Sequence, residues 1–378
     1  MDSNFKRTAK NKTKRPKVKE IIKNYDTTKK NLINKINSIL SGDLKPFPHK
    51  AVIIYDKISG KTRTIFKPLL SQEHPEQWFH SLVIDILSPI LTTGMSDFTF
   101  GSIPDRGLSY GKRLVEKFIK NHPKDIKYGL QIDIRHYYQN INVDILKQRF
   151  DKVIRDKEFL KLVYYILDSN EGLFPDGSVK KEGIPIGYYT SQWLANWYLQ
   201  PFDHYIKEVL KIPFYARNMD DMIFFGRNKK QLHKDFESIR EYLSNLGLTV
   251  KPNYQIFRFD YIDRKDGQRK GRPFDFIGYK FYRDKITLRK KNFKKARRKA
   301  AKINKQNEVH WYSACQIISY IGLFKHTDTH KAFATYITKK VSIKGCKRVI
   351  SNHFRKLNKK RKQQDANLLQ SREPRKTR

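Results

Sequence analysis

The stretch YARNMDDMIFF, residues 215–225, sets two adjacent carboxylates, Asp220 and Asp221, inside a run that is otherwise aromatic and apolar. Both flanks read as strand, so the acidic pair falls at the tip of a hairpin centred near Asp220. A third carboxylate, Asp133, lies in LQIDIRHYY (130–138), which alternates like a strand and then breaks. An aspartate on a half-buried strand is disfavoured by propensity and costly to desolvate. Such residues persist when a cation neutralises them. Hard oxygen donors suit magnesium, which keeps waters and is completed by substrate phosphates. Taken singly, an Asp-Asp pair can be only a turn and Asp133 only a surface residue. Together, on a strongly basic chain, they point to a shared cation.

The rest of the chain supplies that basic context. Its 378 residues hold 79 Lys+Arg against 37 Asp+Glu, a formal net charge of +42. Such a charge opposes compaction unless a polyanion neutralises it, so nucleic acid is the expected partner, held through salt-sensitive phosphate contacts. No run approaches the ~18 apolar residues that span a bilayer. The N-terminus lacks the apolar stretch of a secretory signal, so no membrane association and a cytoplasmic location are expected. Two cysteines, Cys315 and Cys346, form no CxxC pair and support neither a disulfide framework nor a zinc knuckle.

The charge is concentrated in three places. Residues 1–20 have almost no apolar content and read as a flexible arm. The stretch RDKITLRKKNFKKARRKAAKINK (283–305) holds a single acid, Asp284. Its good helix formers predict a basic helix that lies along a phosphate backbone through Arg289, Lys290, Lys294, Lys295, Arg297 and Arg298. The segment from Phe354 is again basic and expected to fray. Between them lies a mixed α/β core. Residues 50–68 read as a hairpin turning at Ser59-Gly60, 76–91 as a helix, and 188–210 as a helix capped by Thr190 and Ser191. Residues 229–250 read as an amphipathic helix ending at Gly247, and 274–282 as one strand.

QIDIRHYYQNIN (131–142), GIPIGYYTSQWLANWYLQPFDHYI (183–206), YARNMDDMIFF, LGLTV (246–250) and FDFIGYKF (274–281) occur in an order and spacing that resembles bacterial reverse transcriptases. The resemblance covers residues 50 to 330, and is greatest to enzymes of diversity-generating retroelements and to defence-associated ones. It implies an α+β right-hand polymerase of fingers, palm and helical basic thumb. The implied parts are an arm (1–25), fingers and palm (26–283), thumb (284–353) and a basic tail (354–378). It further implies an RNA-directed DNA polymerase using two magnesium ions, with manganese as the substitute ion. The partners implied are an RNA template, a DNA product or primer and deoxynucleoside triphosphates, with a second protein or second reverse transcriptase beside them.

The roles carry over position by position. Asp133 resembles the first palm aspartate, which binds both metals, and Ile134 would lend its backbone carbonyl. Asp220 resembles the second ligand and Asp221 its companion. Tyr138 falls where the family keeps a steric gate against a 2′-hydroxyl, whereas Tyr137 is expected in the core. Lys61 and Arg63 match positions that contact the incoming triphosphate. In Pro185-Ile186-Gly187, followed by Ser191-Gln192, the family's more common glutamine is replaced by Ile186. Ile186, Gly187 and Gln192 would then meet the nascent base pair, with altered fidelity. Gly183 and Gly187 would let backbone approach template or nucleotide.

Asn218 stands where a tyrosine is usual in the acidic motif; with Met219 it would position the primer. Trp311, Tyr320 and Phe324 are expected in the core. His326 and His330, four apart, lack a third metal ligand. No maturase-type DNA-binding extension, zinc endonuclease or RNase H set is evident, which implies reliance on partners. The expected role is antiviral defence, with DNA copied from a dedicated noncoding RNA. The alternatives are an error-prone enzyme of a diversity-generating retroelement and, in another class, a non-catalytic RNA-binding protein.

Overall fold

The chain separates into two units, Met1–Arg258 and Phe259–Arg378. The structure is a computed structural model that describes residues 1–378 except 11, 14, 57–60, 68–74 and 371–378. In chain order the strands of the first unit are β1 (His49–Asp56), β2 (Lys61–Lys67), β3 (Tyr128–Arg135), β4 (Glu171–Leu173), β5 (Val179–Lys181), β6 (Phe214–Asn218), β7 (Asp221–Gly226), β8 (Thr249–Val250) and β9 (Gln255–Arg258).

One sheet is built around β3. The β7 strand pairs with it on one side, β8 and β9 pair along the other, and β6 lies beyond β7, all antiparallel. Leu130, Ile132 and Ile134 of β3 are buried, as are most residues of β6 and β7. Strands covered on both faces read as apolar runs, which is why the acidic tip stands out so sharply in the sequence. The covering helices present apolar side chains at helical spacing. Leu232, Phe236, Ile239 and Leu243 of the helix Lys229–Asn245 are one such stripe. Asn228 caps that helix by accepting from the amides of Lys230 and Gln231, and Gly247 follows with φ 72°. The second sheet runs β2-β1-β4-β5, and its β1–β2 hairpin matches the expected one; the Ser59-Gly60 turn lies outside the described residues.

The second unit adds β10 (Tyr261–Ile262), β11 (Arg269–Lys270), β12 (Phe274–Phe276), β13 (Tyr279–Phe281) and β14 (Ile286–Leu288), followed by three main helices. The strand expected over 274–282 is two strands, because Ile277 and Gly278 adopt φ 46° and 90° and turn the chain. Residues 259–283, grouped with the palm in the sequence, pack within this second unit. Phe324 is buried, Tyr320 is half-buried and Trp311 stacks on His353 at 4.1 Å, consistent with core roles. His326 and His330 are exposed.

Three expectations are corrected. The N-terminal arm is helical over Asp2–Ala9 and Pro16–Lys23. Its few apolar residues, Phe5, Ala9, Val18 and Ile21, fall at helical spacing and are buried; Phe5 packs on Trp78, and Asn4 donates to Ser81 and Asp85. The basic tail continues the helix Ile343–Gln370 and is not frayed up to that point. Thr190 does not cap its helix; its hydroxyl bonds His80 Nδ1 at 2.9 Å, and Ser191 donates to the Pro185 carbonyl at 2.6 Å. Among the described residues no helix is long and apolar enough to cross a membrane, and both cysteines are free.

Candidate active site

The turn between β6 and β7 carries the acidic pair, with Met219 in the left-handed region at φ 59°. Strand register sets Asp133 of β3 directly across from Asp221 of β7. The Ile134 amide donates to the Asp220 carbonyl at 3.3 Å, which ties the turn to β3. Asp220 lies close enough to Asp133 for the two carboxyls to interact. Burial, and then the charge of Asp133, push the Asp220 carboxyl up to about 6. Asp133 Oδ2 takes an ion pair from Lys251 Nζ at 2.7 Å, whereas Asp133 Oδ1 is buried with no hydrogen-bond donor.

One crowded, under-neutralised pair of carboxylates is therefore present, and a divalent cation fits it. It would satisfy the orphaned oxygen and relieve the repulsion at Asp220. Among the described residues no group of three or more His, Cys, Asp or Glu side chains could by itself hold a metal ion. Magnesium does not require such a cage, because it is bound through one or two carboxylates plus waters and substrate phosphates.

Around this pair lie several of the expected nucleotide-binding residues. β3 ends at Arg135, and His136, at φ 47°, breaks the strand and starts the short helix bearing Tyr137 and Tyr138. Tyr137 is buried, and its hydroxyl donates to the Ala195 carbonyl at 2.5 Å, a core role. Tyr138 is half-buried, and burial raises its hydroxyl, with Asp220 adding to the rise and Arg63 opposing it. Asp220 and Arg63 are thus each within electrostatic reach of Tyr138. Arg63 is exposed on β2, and Lys61 pairs through its backbone with Asp56; its side chain lies outside the described residues.

The 183–187 loop bridges these parts. Ile184 N donates to the Tyr138 carbonyl at 2.8 Å, and Phe66 N of β2 donates to the Ile186 carbonyl at 2.8 Å. Gly187, at φ 127°, lies so close to β2 that an added Cβ would sit 2.3 Å from the Phe66 carbonyl oxygen. The close approach read from the loop glycines is therefore to the protein's own backbone. Ile186 is half-buried and Gln192 exposed. Asn218 is half-buried with its Oδ1 against Gly101, where an added Cβ would be 2.8 Å away. The Met219 side chain is buried in the core, so only its backbone remains to face a primer.

Lys251 and Gly101 were not singled out from the sequence. A lysine just past LGLTV carries no pattern of its own on so basic a chain. In the second unit, the helix Lys290–Asn304 buries Ala296, Ala300 and Ile303 and exposes Lys290, Lys294, Arg297 and Arg298. Arg289 is committed to Asp275 through Nε at 2.5 Å, and Lys295 is half-buried.

Comparison with known proteins gives the same reading. Residues 77–281, more than half of the chain, match the family described as reverse transcriptase (RNA-dependent DNA polymerase). Protein YkfC of Escherichia coli strain K12 is 24% identical over 176 residues, 46% of this chain and 44% of that protein. A solved telomerase from Candida tropicalis, in complex with the TWJ fragment of telomeric RNA, superposes with a TM-score of 0.50 at 15% identity. That match covers 79% of this chain and 56% of the telomerase chain, a likeness of fold. The chain spans about half the length of these relatives. The α+β architecture is that of right-hand polymerases.

Proposed function

The chain belongs to the reverse transcriptase (RNA-dependent DNA polymerase) family, and from that premise we propose that it copies RNA into DNA at the Asp133–Asp220 site. The observation that carries this reading is the buried, donorless Asp133 Oδ1 beside a carboxyl pushed up by burial and by Asp133 itself. Asp133, Asp220 and the Ile134 carbonyl would hold two magnesium ions, or manganese in their place, with Asp221 adding charge. Such ions would supply positive charge for the transferring phosphate and for the primer hydroxyl.

The chain's own residues act by position. Arg63, with Lys61, takes the negative charge of the incoming triphosphate. Tyr138 excludes a 2′-hydroxyl, and Ile186 sets an apolar contact against the nascent base pair, with Gly187 and Gln192 beside it. Asn218 and the Met219 backbone face the primer end. There the 3′-oxygen bonds to the α-phosphorus as the bond to pyrophosphate breaks. Lys290, Lys294, Arg297 and Arg298 bind phosphates of the nucleic acid, joined by Lys295 and Arg289.

The template is a dedicated noncoding RNA and the role antiviral, in the cytoplasm of a bacterium, encoded by it or by a phage. A second protein or second reverse transcriptase completes the system. Asn218 supports this reading, since a specialised template or priming mode tolerates the loss of the usual ring. The Ile186-Gly187-x-x-x-Ser191-Gln192 pattern favours a second reading, a diversity-generating retroelement. Paired template and variable repeats at the locus would decide for it; a structured noncoding RNA in a defence neighbourhood would decide for the first.

Primer extension on RNA with magnesium tests the core of the proposal. We expect synthesis by the wild type and none by Asp220→Asn. Synthesis that survives the substitution removes the assigned site. No synthesis by the wild type, with native RNA supplied, leaves a non-catalytic RNA-binding protein.

A further inference from the structure

Arg217, two residues before Met219, is fully buried, as is its partner Asp203. Its five guanidinium N–H groups all find acceptors. Nε donates to Asp203 Oδ1 at 2.7 Å and Nη2 to Asp203 Oδ2 at 2.5 Å, a bidentate pair. Nη2 also reaches the Asn196 carbonyl at 3.4 Å, and Nη1 reaches Asn196 Oδ1 and the Met219 carbonyl, both at 3.3 Å. Asp203 is equally saturated, taking further bonds from Tyr215 OH at 2.7 Å and Thr99 Oγ1 at 2.9 Å. Burial works against the guanidinium charge, but Asp203 more than offsets it.

The network runs in two directions. Toward the site, Arg217 holds the carbonyl of Met219, whose left-handed backbone costs on the order of 1–3 kcal/mol and persists only where its surroundings fix it. The next carbonyl, that of Asp220, is held by Ile134 N. Away from the site, the Arg217 backbone pairs with Phe98 O at 2.9 Å and with Phe100 N at 3.2 Å, while Asn196 Nδ2 donates to Gly101 O at 2.6 Å. Gly101 is the residue against which Asn218 rests. A buried ion pair is weak evidence for stability alone, since apolar replacements of similar volume are often as stable.

We propose that Arg217, locked by Asp203, is a positioning residue that sets the Met219–Asp220 turn and couples it to the Phe98–Gly101 segment. The proposal rests on the polymerase reading above. It is tested with Arg217→Lys, which keeps the charge but not the fork, and with the double variant Arg217→Met/Asp203→Leu. For each, thermal stability, manganese affinity by electron paramagnetic resonance, and kcat and KM on primed RNA are measured. We expect near-wild-type melting of the double variant and little change in KM. In both variants kcat should fall roughly 100-fold, and manganese affinity should weaken roughly 10-fold. A folded double variant with wild-type kcat and manganese affinity overturns the proposal. If the double variant does not fold, Arg217→Lys decides alone: unchanged kcat and affinity overturn it. Should the wild type synthesise no DNA while manganese affinity still falls in the variants, the positioning role stands and the polymerase reading fails.

Discussion

Two hairpins of the first unit hold residues of the proposed site, and they are built on opposite terms. In β6–β7 most side chains are buried, the tip is two residues long, and the carbonyls of Met219 and Asp220 are each held. In β1–β2 the register is equally regular, yet Ile53, Ile54, Tyr55 and Arg63 are exposed. The first hairpin fixes reacting groups, which must stay within a fraction of an ångström of their working geometry. The second leaves Arg63 in solvent, where the proposed function has it meet the incoming triphosphate. Rigidity follows from buried contacts with distant elements, and strand pairing alone does not supply it. If the contrast is right, substitutions on the two hairpins must differ in size and in kind.

The largest effect belongs to the buried hairpin. Asp220→Asn should reduce RNA-templated synthesis by more than about 100-fold, beyond what loss of an outer-shell partner costs. On the open hairpin, Arg63→Ala should raise KM for deoxynucleotides roughly 10-fold while kcat changes less, the loss of one charge-assisted contact. A fall in kcat with constant KM would erase the distinction between the two hairpins.

Smaller effects sharpen the picture. Lys294→Ala and Arg298→Ala should each weaken RNA binding across sequences and lower the salt slope by about 1. A sequence-dependent loss would instead mean base readout. Ile186→Gln should alter the misincorporation spectrum with synthesis retained, and equal spectra would remove Ile186 from the base-pair contact.

The last prediction concerns stability. Asp220 is raised above its unfolded value of 3.8 to about 6, so its contribution is present below pH 3.8 and is lost as pH rises through about 6. Relative to Asp220→Asn, the metal-free wild type should therefore lose stability on the order of 1 kcal/mol between pH 4 and pH 7. Magnesium at pH 7 should narrow that gap. Parallel pH curves for the two proteins would show that Asp220 is not crowded.

Much of this was legible in the sequence, and the rest was not for identifiable reasons. The β6–β7 hairpin, β3 and the helix Lys229–Asn245 follow from local periodicity, which a single chain displays directly. The N-terminal helices were missed because Phe5, Ala9, Val18 and Ile21 are too few to outweigh the charge around them until Trp78 and Asp85 supply partners. Thr190 looked like a cap, but His80 offered a buried partner that competes with the helix amides. Lys251 and Asp203 carry no signal in isolation, because each acquires its role from a partner on another element.

Basic charge and carboxylates at a strand–turn–strand tip are written in the order of the residues, because charge and alternation are properties of neighbours. That Asp133 crowds Asp220, that Lys251 pairs with one oxygen of Asp133, and that Arg217 is buried on Asp203 appear only once the chain is folded. Those facts depend on sheet register and on the saturation of buried donors, and both are fixed by packing between segments that never meet along the chain.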